Sequence, residues 1–435
     1  MTRHEEMKVI LENSTFKLSG GLRGVLVLFV AVGIVGFVVG ALGSQPHLAW
    51  EALLVNTVFF GGIGFGALTF SVIWQITDAN WGRPYKRFAE ALAAFTPVAF
   101  GLYLVLFFGA HHFFQWMDHD KVIHSKAGWL NFPFFIERNI GLFVLVLILS
   151  WIYIKNSLRP DIGLAKKLAN FSNGFADRLV SNYGTQEEEE ILANKKNIRM
   201  APLVAIGWAC LSSLIAFDWV MSIDQEWYST MFGVQYLVAS LIGGMACLNL
   251  ISGVVWKKFK LNGYISVTRH HDTSKFIFAL CLLWTYMIFS QVLVIWYGNI
   301  PEETPYLILR MQSHEWGWMF WLLLVMLFLI PFFGLMSRTA CNTPWFSRLI
   351  SIDILVGLWL EKYFLVVPSI QENMADAAAA AGAEVHGLPG FQYNLFDFSI
   401  TLGVLGAFVL CFLWFLSRVP ALPISDKRLF SEGHH

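Results

Sequence analysis

Charge is scarce in this sequence: Asp, Glu, Lys and Arg make up 14% of the 435 residues, where soluble globular chains carry about a quarter. That scarcity excludes an ordinary soluble domain. Cysteine is scarce too. The five present, Cys210, Cys247, Cys281, Cys341 and Cys411, lie far apart with no CxxC pair, so neither disulfides nor an iron–sulfur cluster is expected. No CxxCH is present for covalent haem. A signal peptide is not expected either, because Met1 to Lys17 is polar and charged and lacks the apolar core and small-residue cleavage site. The first apolar run is therefore read as a retained anchor. Thirty basic residues against thirty acidic ones leave no net polarity, which argues against a nucleic-acid partner.

What the chain has instead is hydrocarbon: 56% of residues are hydrophobic and 16% aromatic. Crossing a bilayer takes about 20 apolar residues. Runs of about that length occupy 22–42, 53–76, 88–108, 139–154, 203–220, 231–255, 276–297, 319–335, 349–367 and 398–416. The expected fold is an all-α integral membrane protein of about ten transmembrane helices, formed by one polytopic unit over 1–435 with no clear sequence repeat. Lys and Arg supply an independent test, since cytoplasmic loops are rich in them. Of the 30, 25 fall in the loops on the side of the N-terminus, four (Lys121, Lys126, Arg138 and Arg310) on the opposite side, and Lys362 within a span. A miscounted helix would blur that asymmetry, so both termini are placed in the cytoplasm. Trp50, Trp81, Trp116, Trp129, Trp227, Trp256, Trp296 and Trp316 stand at span ends, where they read as interfacial anchors.

In the longest inner loop, Leu164, Leu168, Phe171, Phe175 and Leu179 recur at helical spacing, which predicts an amphipathic helix on the membrane or on a partner. The run Glu187 to Glu190 is read as a solvated face, and Ala377 to Ala381 as low-complexity sequence in the last outer loop. Gly61, Gly62, Gly64 and Gly66, just after Asn56 and Thr57, mark a place where helices approach closely.

Histidine is missing from the middle of every span. His111, His112, His119, His124, His270, His271 and His314 sit at span ends or in loops, so no membrane haem and no metal site is expected. Ionisable residues within a span are costly and count as functional candidates. The ninth span holds three: Asp353 about a turn inside its cytoplasmic end, then Glu361 and Lys362 roughly 12–13 Å further along. They read as proton stations or as charges pairing with neighbouring helices. The hairpin FDWVMSIDQEWYSTMFG places Asp218, Asp224, Glu226, Trp227 and Tyr228 at the outer surface. Carboxylates beside an aromatic wall suit a quinol head group, and they equally suit a hairpin tied by Asp caps. Arg310, His314 and Glu315 follow at i, i+4, i+5 spacing and are expected to reach carboxylates across the bundle.

Three segments together resemble a known family: DWVMSIDQEWYSTMFG, WLEKYFLVVPS, and TDANWGRPYKRFAEALAAFTPVAF. They are similar to the NrfD-like membrane subunits of alternative complex III, and more to the ActF-type than to the ActC-type chains. The resemblance implies two four-helix bundles plus two flanking helices, in the bacterial cytoplasmic membrane. It also implies a place in a quinol:cytochrome c (or quinol:oxidase) oxidoreductase, with an ActC-type sister subunit, iron–sulfur and multihaem cytochrome c subunits and a terminal oxidase as partners. Haem and iron–sulfur clusters then belong to those partners, and the ligand here is a quinone such as menaquinone. Carried onto matching positions, Asp218, Asp224 and Tyr228 belong to the hairpin motif, and Glu361, Lys362 and Tyr363 to the ninth-span motif. The family often has Arg at the position of Lys362; Lys keeps the charge and loses the bidentate fork.

The expected function is a membrane subunit of a respiratory quinol oxidoreductase that offers a quinol-facing surface, a proton path, or both. The proton-path candidates are Asp353, Glu361, Lys362, Asp218 and Asp224; the quinone-facing candidates are Asp218, Asp224, Tyr228, Arg310 and His314. A secondary transporter and a structural anchor subunit are the competing classes.

Overall fold

The computed structural model describes residues 7, 8, 11, 18–258, 267–382, 387–426 and 429; the side chains of 119, 254–258 and 267 are not described. Several counted charges, Arg3, Lys17, Lys260, Lys427 and Arg428 among them, lie outside the described residues. Among the described residues, ten long helices follow one another: α1 (Gly20–Ala41), α2 (Pro46–Ile76), α3 (Arg83–His112), α4 (Phe132–Ala169), α5 (Gln186–Ile223), α6 (Met231–Lys258), α7 (Val267–Gly298), α8 (Gly317–Leu335), α9 (Pro344–Ala380) and α10 (Leu395–Leu416). Among the described residues there is no strand. Nine of the ten helices are long and apolar enough to cross a membrane. The other, α9, has the length at 37 residues but carries Asp353, Glu361 and Lys362 within its apolar stretch. The chain is a multi-pass membrane protein.

The helices outrun the apolar sequence. Hydropathy reads the hydrocarbon-spanning part alone, so 139–154 becomes Phe132–Ala169 and 349–367 becomes Pro344–Ala380. The alanine tract assigned to a loop is the last turn of α9, as expected of the best helix former. The amphipathic loop helix is corrected as well: α4 continues to Ala169 and stops at Asn170 in a left-handed conformation (φ 50°), leaving only Gly174–Leu179 as a separate short helix. The glutamate run opens α5 behind a Thr185–Glu188 capping box. It is not simply solvated: Glu189 is buried and pairs with Arg159 at 2.7 Å.

Packing explains the order of the layers. Helix α2 is apolar on every face, and its hydrophobic stretch is wholly buried, so it sits at the centre against α3, α5, α6 and α10. Helices α2–α5 form one bundle and α6–α9 the other, while α1 and α10 pair with each other on the flank. Two glycines set how closely the bundles meet: a Cβ on Gly66 would lie 1.8 Å from the Ser240 carbonyl oxygen, and one on Gly244 2.4 Å from the Ala67 nitrogen. Gly66→Ala is therefore expected to cost about 1–3 kcal/mol by overpacking and to lower the melting temperature in detergent. Gly61→Ala, whose nearest neighbour would be at 3.6 Å, should leave it unchanged.

The connections alternate between two ends. One carries the α2–α3 and α4–α5 loops and the C-terminal segment, and is called the basic end; the other, with the α3–α4, α5–α6 and α7–α8 connections, is called the far end.

Candidate functional site

Towards the far end, the second bundle encloses a cavity of about 60 Å³ between α6, α7, α8, α9 and the short helix Thr304–Met311. Its apolar side is formed by residues such as Ile288, Phe320 and Leu324. Its polar groups gather at two places. At one, the buried Glu361 carboxylate accepts hydrogen bonds from Trp284 Nε1 at 2.7 Å, Gln235 Nε2 at 3.3 Å and Lys362 Nζ at 2.5 Å. Gln291 Nε2 donates in turn to Gln235 Oε1 at 2.6 Å. At the other, Arg310 lies 3.5 Å from the centroid of the Tyr306 ring, which stacks face to face on Trp227 at 3.7 Å.

Among the described residues, Arg310 forms no ion pair with a carboxylate. Its Nη2 donates to the Leu365 carbonyl at 3.1 Å and to Ser369 Oγ at 2.8 Å, both on α9, and its Nε has no partner. The expected cross-bundle ion pair is thus replaced by bonds to neutral oxygens, and the charges of Asp224 and Glu372 in the adjoining pocket reach the guanidinium only at longer range. His314 does not join it, being exposed at the far-end surface. Tyr306 also lines a second, polar pocket of about 200 Å³, with Asp224, Glu226, Glu302, Glu372 and Asp376 around it. Burial pushes the Tyr306 hydroxyl up to about 12, with Arg310 acting against the rise.

The hairpin residues separate. Asp218 is not at the surface: it is fully buried in a π-helical turn of α5, Ala216–Val220. Its carboxylate accepts from Arg138 Nε and Nη2 at 2.7 and 2.9 Å, Asn139 Nδ2 at 2.6 Å and Trp129 Nε1 at 3.1 Å. A carboxylate so engaged ties α4 to α5 and has no face left for a ligand. Asp224 caps the hairpin by accepting from the Glu226 and Trp227 amides at 3.0 and 3.2 Å, while its side chain lines the acidic pocket. Tyr228 is exposed, with Lys126 Nζ 5.3 Å from its ring centroid. Asp353 is half-buried on α9, with Oδ2 unpartnered. Of the candidates, then, Glu361 and Arg310 line one site, Lys362 touches it only through its bond to Glu361, Asp224 adjoins it through Tyr306, and Asp218, Tyr228, His314 and Asp353 lie elsewhere.

A family model described as polysulphide reductase, NrfD, matches residues 40–372, a stretch that includes both bundles but for the last turns of α9. The chain belongs to the NrfD family. Members are membrane subunits of quinone-interacting oxidoreductase complexes and partner with iron–sulfur subunits. Comparison with curated proteins found no match.

Several residues of this NrfD-family chain escaped the sequence reading. Gln235, Trp284 and Gln291, which complete the shell of Glu361, are neutral, and a search for ionisable groups passes over them. Glu90 was legible, since it lies within 88–108. It is fully buried near the basic end and pairs with Arg87, which also pairs with Asp161. Glu51 and Asp397, buried at the far end of α2 and α10, stood at or just beyond the edges of the apolar runs. Three tryptophans read as interfacial anchors are interior instead. Trp116 donates to the Ser222 carbonyl at 3.1 Å, Trp316 to Gln371 Oε1 at 3.2 Å, and Trp227 stacks on Tyr306. Trp129 and Trp296 remain exposed.

Proposed function

We propose that this NrfD-family chain is the membrane subunit of a respiratory quinol oxidoreductase and that the second-bundle cavity receives the quinol head group. One observation carries the reading: an arginine held only by neutral oxygens, Arg310, and a hydrogen-bonded carboxylate, Glu361, face the same aromatic-walled cavity. Oxidation of a quinol releases two electrons and two protons. Arg310 would hold a ring oxygen as it gains negative character, and Glu361 would accept a proton. The acidic pocket beyond Tyr306 offers a proton exit to the far-end surface, and the electrons pass to an iron–sulfur partner docked there. The void is smaller than a quinone ring, so entry requires side chains of the apolar wall to turn aside; the isoprenoid tail then leaves through that wall into lipid.

The same reading places the basic end in the cytoplasm, following the Lys and Arg asymmetry, and the chain in the bacterial cytoplasmic membrane. Within the family it is assigned to alternative complex III as an ActF-type subunit, beside an ActC-type sister and multihaem cytochrome c subunits, with menaquinol as the reductant. Asp353 and the Glu361–Lys362 pair serve as proton stations along α9.

Arg310→Leu is expected to lower quinol-dependent electron transfer in membranes at least ten-fold at unchanged chain abundance, with His314→Ala as a silent control. Full activity in Arg310→Leu would remove the cavity from consideration. Recovery of the chain without iron–sulfur and haem subunits after mild extraction would remove the complex.

A further inference from the structure

A larger cavity lies away from that site. It is a groove of about 730 Å³ on the side of the bundles, walled by α2, α6, α9 and α10, with Phe60, Leu355, Val356, Leu405, Phe412 and Leu416 among its lining residues. Along α10 it runs from Thr401 to Leu416, about 22 Å at the helical rise. That exceeds the roughly 15 Å depth of hydrocarbon in one leaflet.

The two ends of the groove differ. Towards the far end, the polar atoms of the wall are already engaged: Trp359 Nε1 donates to Asn56 Oδ1 at 3.1 Å, and Asn56 Nδ2 to Thr401 Oγ1 at 2.9 Å. A polar head group finds nothing to bind there. Towards the basic end, the α9 stripe that lines the groove, Ile352, Leu355, Val356 and Trp359, continues one turn back to Arg348, since residues four apart share a helix face. The Arg348 guanidinium rests on Gly253, where an added Cβ would meet Cζ at 2.1 Å, and its buried Nε has no hydrogen-bond partner. Arg23, next to the lining residue Leu22, is exposed at the same end. An unpartnered buried donor on a cation is costly, and an anion supplies what it lacks.

We propose that the groove is a binding site for an anionic phospholipid, with an acyl chain lying along α10 and its phosphate held by Arg348. The wall selects hydrocarbon, the engaged polar atoms towards the far end leave no place for a second polar group, and the Arg348 guanidinium with its unpartnered Nε fixes the head at the basic end. A quinone fits less well here, because its uncharged carbonyls would leave the Arg348 charge unmatched, whereas a phosphate matches it.

The test uses the full chain extracted with its membrane partners, with phosphatidylglycerol or phosphatidylcholine supplied and retained lipid measured by native mass spectrometry. Phosphatidylglycerol should be retained at least ten-fold more strongly than phosphatidylcholine, and Arg348→Gln should abolish that preference. Val356→Trp fills the groove from a position that is 46% exposed and so tolerates bulk; it should lose bound lipid of both kinds. Equal retention of the two lipids by the wild type, or an undiminished preference in Arg348→Gln, overturns the proposal. So does inorganic phosphate competing for Arg348 equally in the wild type and in Val356→Trp, which would identify a free anion as the ligand. A photo-crosslinker placed at Leu405 should label lipid in native membranes; labelling of a polypeptide would show that a protein fills the groove.

Discussion

Arg87→Leu is expected to prevent the chain from accumulating in folded form. Arg87 is fully buried, and its two terminal nitrogens bind Glu90 on its own helix and Asp161 on α4. Each carboxylate has one further support: Glu90 Oε1 accepts from Ser157 Oγ at 2.7 Å, and Asp161 Oδ1 from the Ser425 amide at 2.8 Å. Removing the cation leaves two buried carboxylates facing each other. Breaking such a pair costs about 3–5 kcal/mol, a large part of the 5–15 kcal/mol by which a domain is ordinarily stable. The damage should spread, because the triad joins the start of α3, the end of α4 and the C-terminal segment, whose Asp426 also pairs with Arg83 at 3.2 Å. Arg87→Lys keeps the charge without the fork that reaches both partners, and should fall between wild type and leucine. Replacing Arg87, Glu90 and Asp161 together by apolar residues removes the uncompensated charges, and should recover much of what the single change loses. Size-exclusion profiles and thermal unfolding of the four chains in one detergent check this ordering; a monodisperse Arg87→Leu with unchanged melting would refute it.

This triad marks the limit of what the amino-acid sequence alone reveals. The spans were legible because each must hide its backbone from lipid for about 20 residues, a demand that hydropathy reads directly. Partnerships between helices were not. Arg83, Lys86, Arg87 and Asp161 lie outside the apolar runs and looked like ordinary loop charges, yet all four are buried. Asp218 shows the converse error, since its place at the end of a span suggested a surface carboxylate; nothing in the local sequence tells that Arg138, Asn139 and Trp129 converge on it. At the candidate site, the ionisable members Glu361, Lys362 and Arg310 were found by the cost of their charge in a membrane. The pairing of Glu361 with its own neighbour Lys362, in place of a charge on another helix, depends on how α6 and α7 fill the remaining space with Gln235 and Trp284.

That pairing gives the second large effect, and a way to separate chemistry from architecture. Glu361→Gln preserves shape, but an amide offers one acceptor where the carboxylate offers two oxygens. Turned so that its oxygen faces Trp284 and Gln235, it points an NH₂ group at the Lys362 ammonium; turned the other way, it points NH₂ at the Trp284 N–H. Either orientation strands a donor in a buried site at about 1–3 kcal/mol, so some loss of stability is expected from geometry alone. If Glu361 also accepts a proton from quinol, the loss in turnover is larger, about 10²–10⁴-fold as for removal of a general base. The double variant Glu361→Gln/Lys362→Met decides between the two. It removes the stranded ammonium, so a purely structural role predicts recovery of both stability and quinol-dependent electron transfer. A proton-accepting role predicts that stability returns while turnover stays low, because no carboxylate has been restored. Asp353→Asn is the companion measurement: with Oδ2 unpartnered, its neutral amide should leave folding intact, and a fall in turnover with it would assign α9 a second proton station about 12 Å from the first.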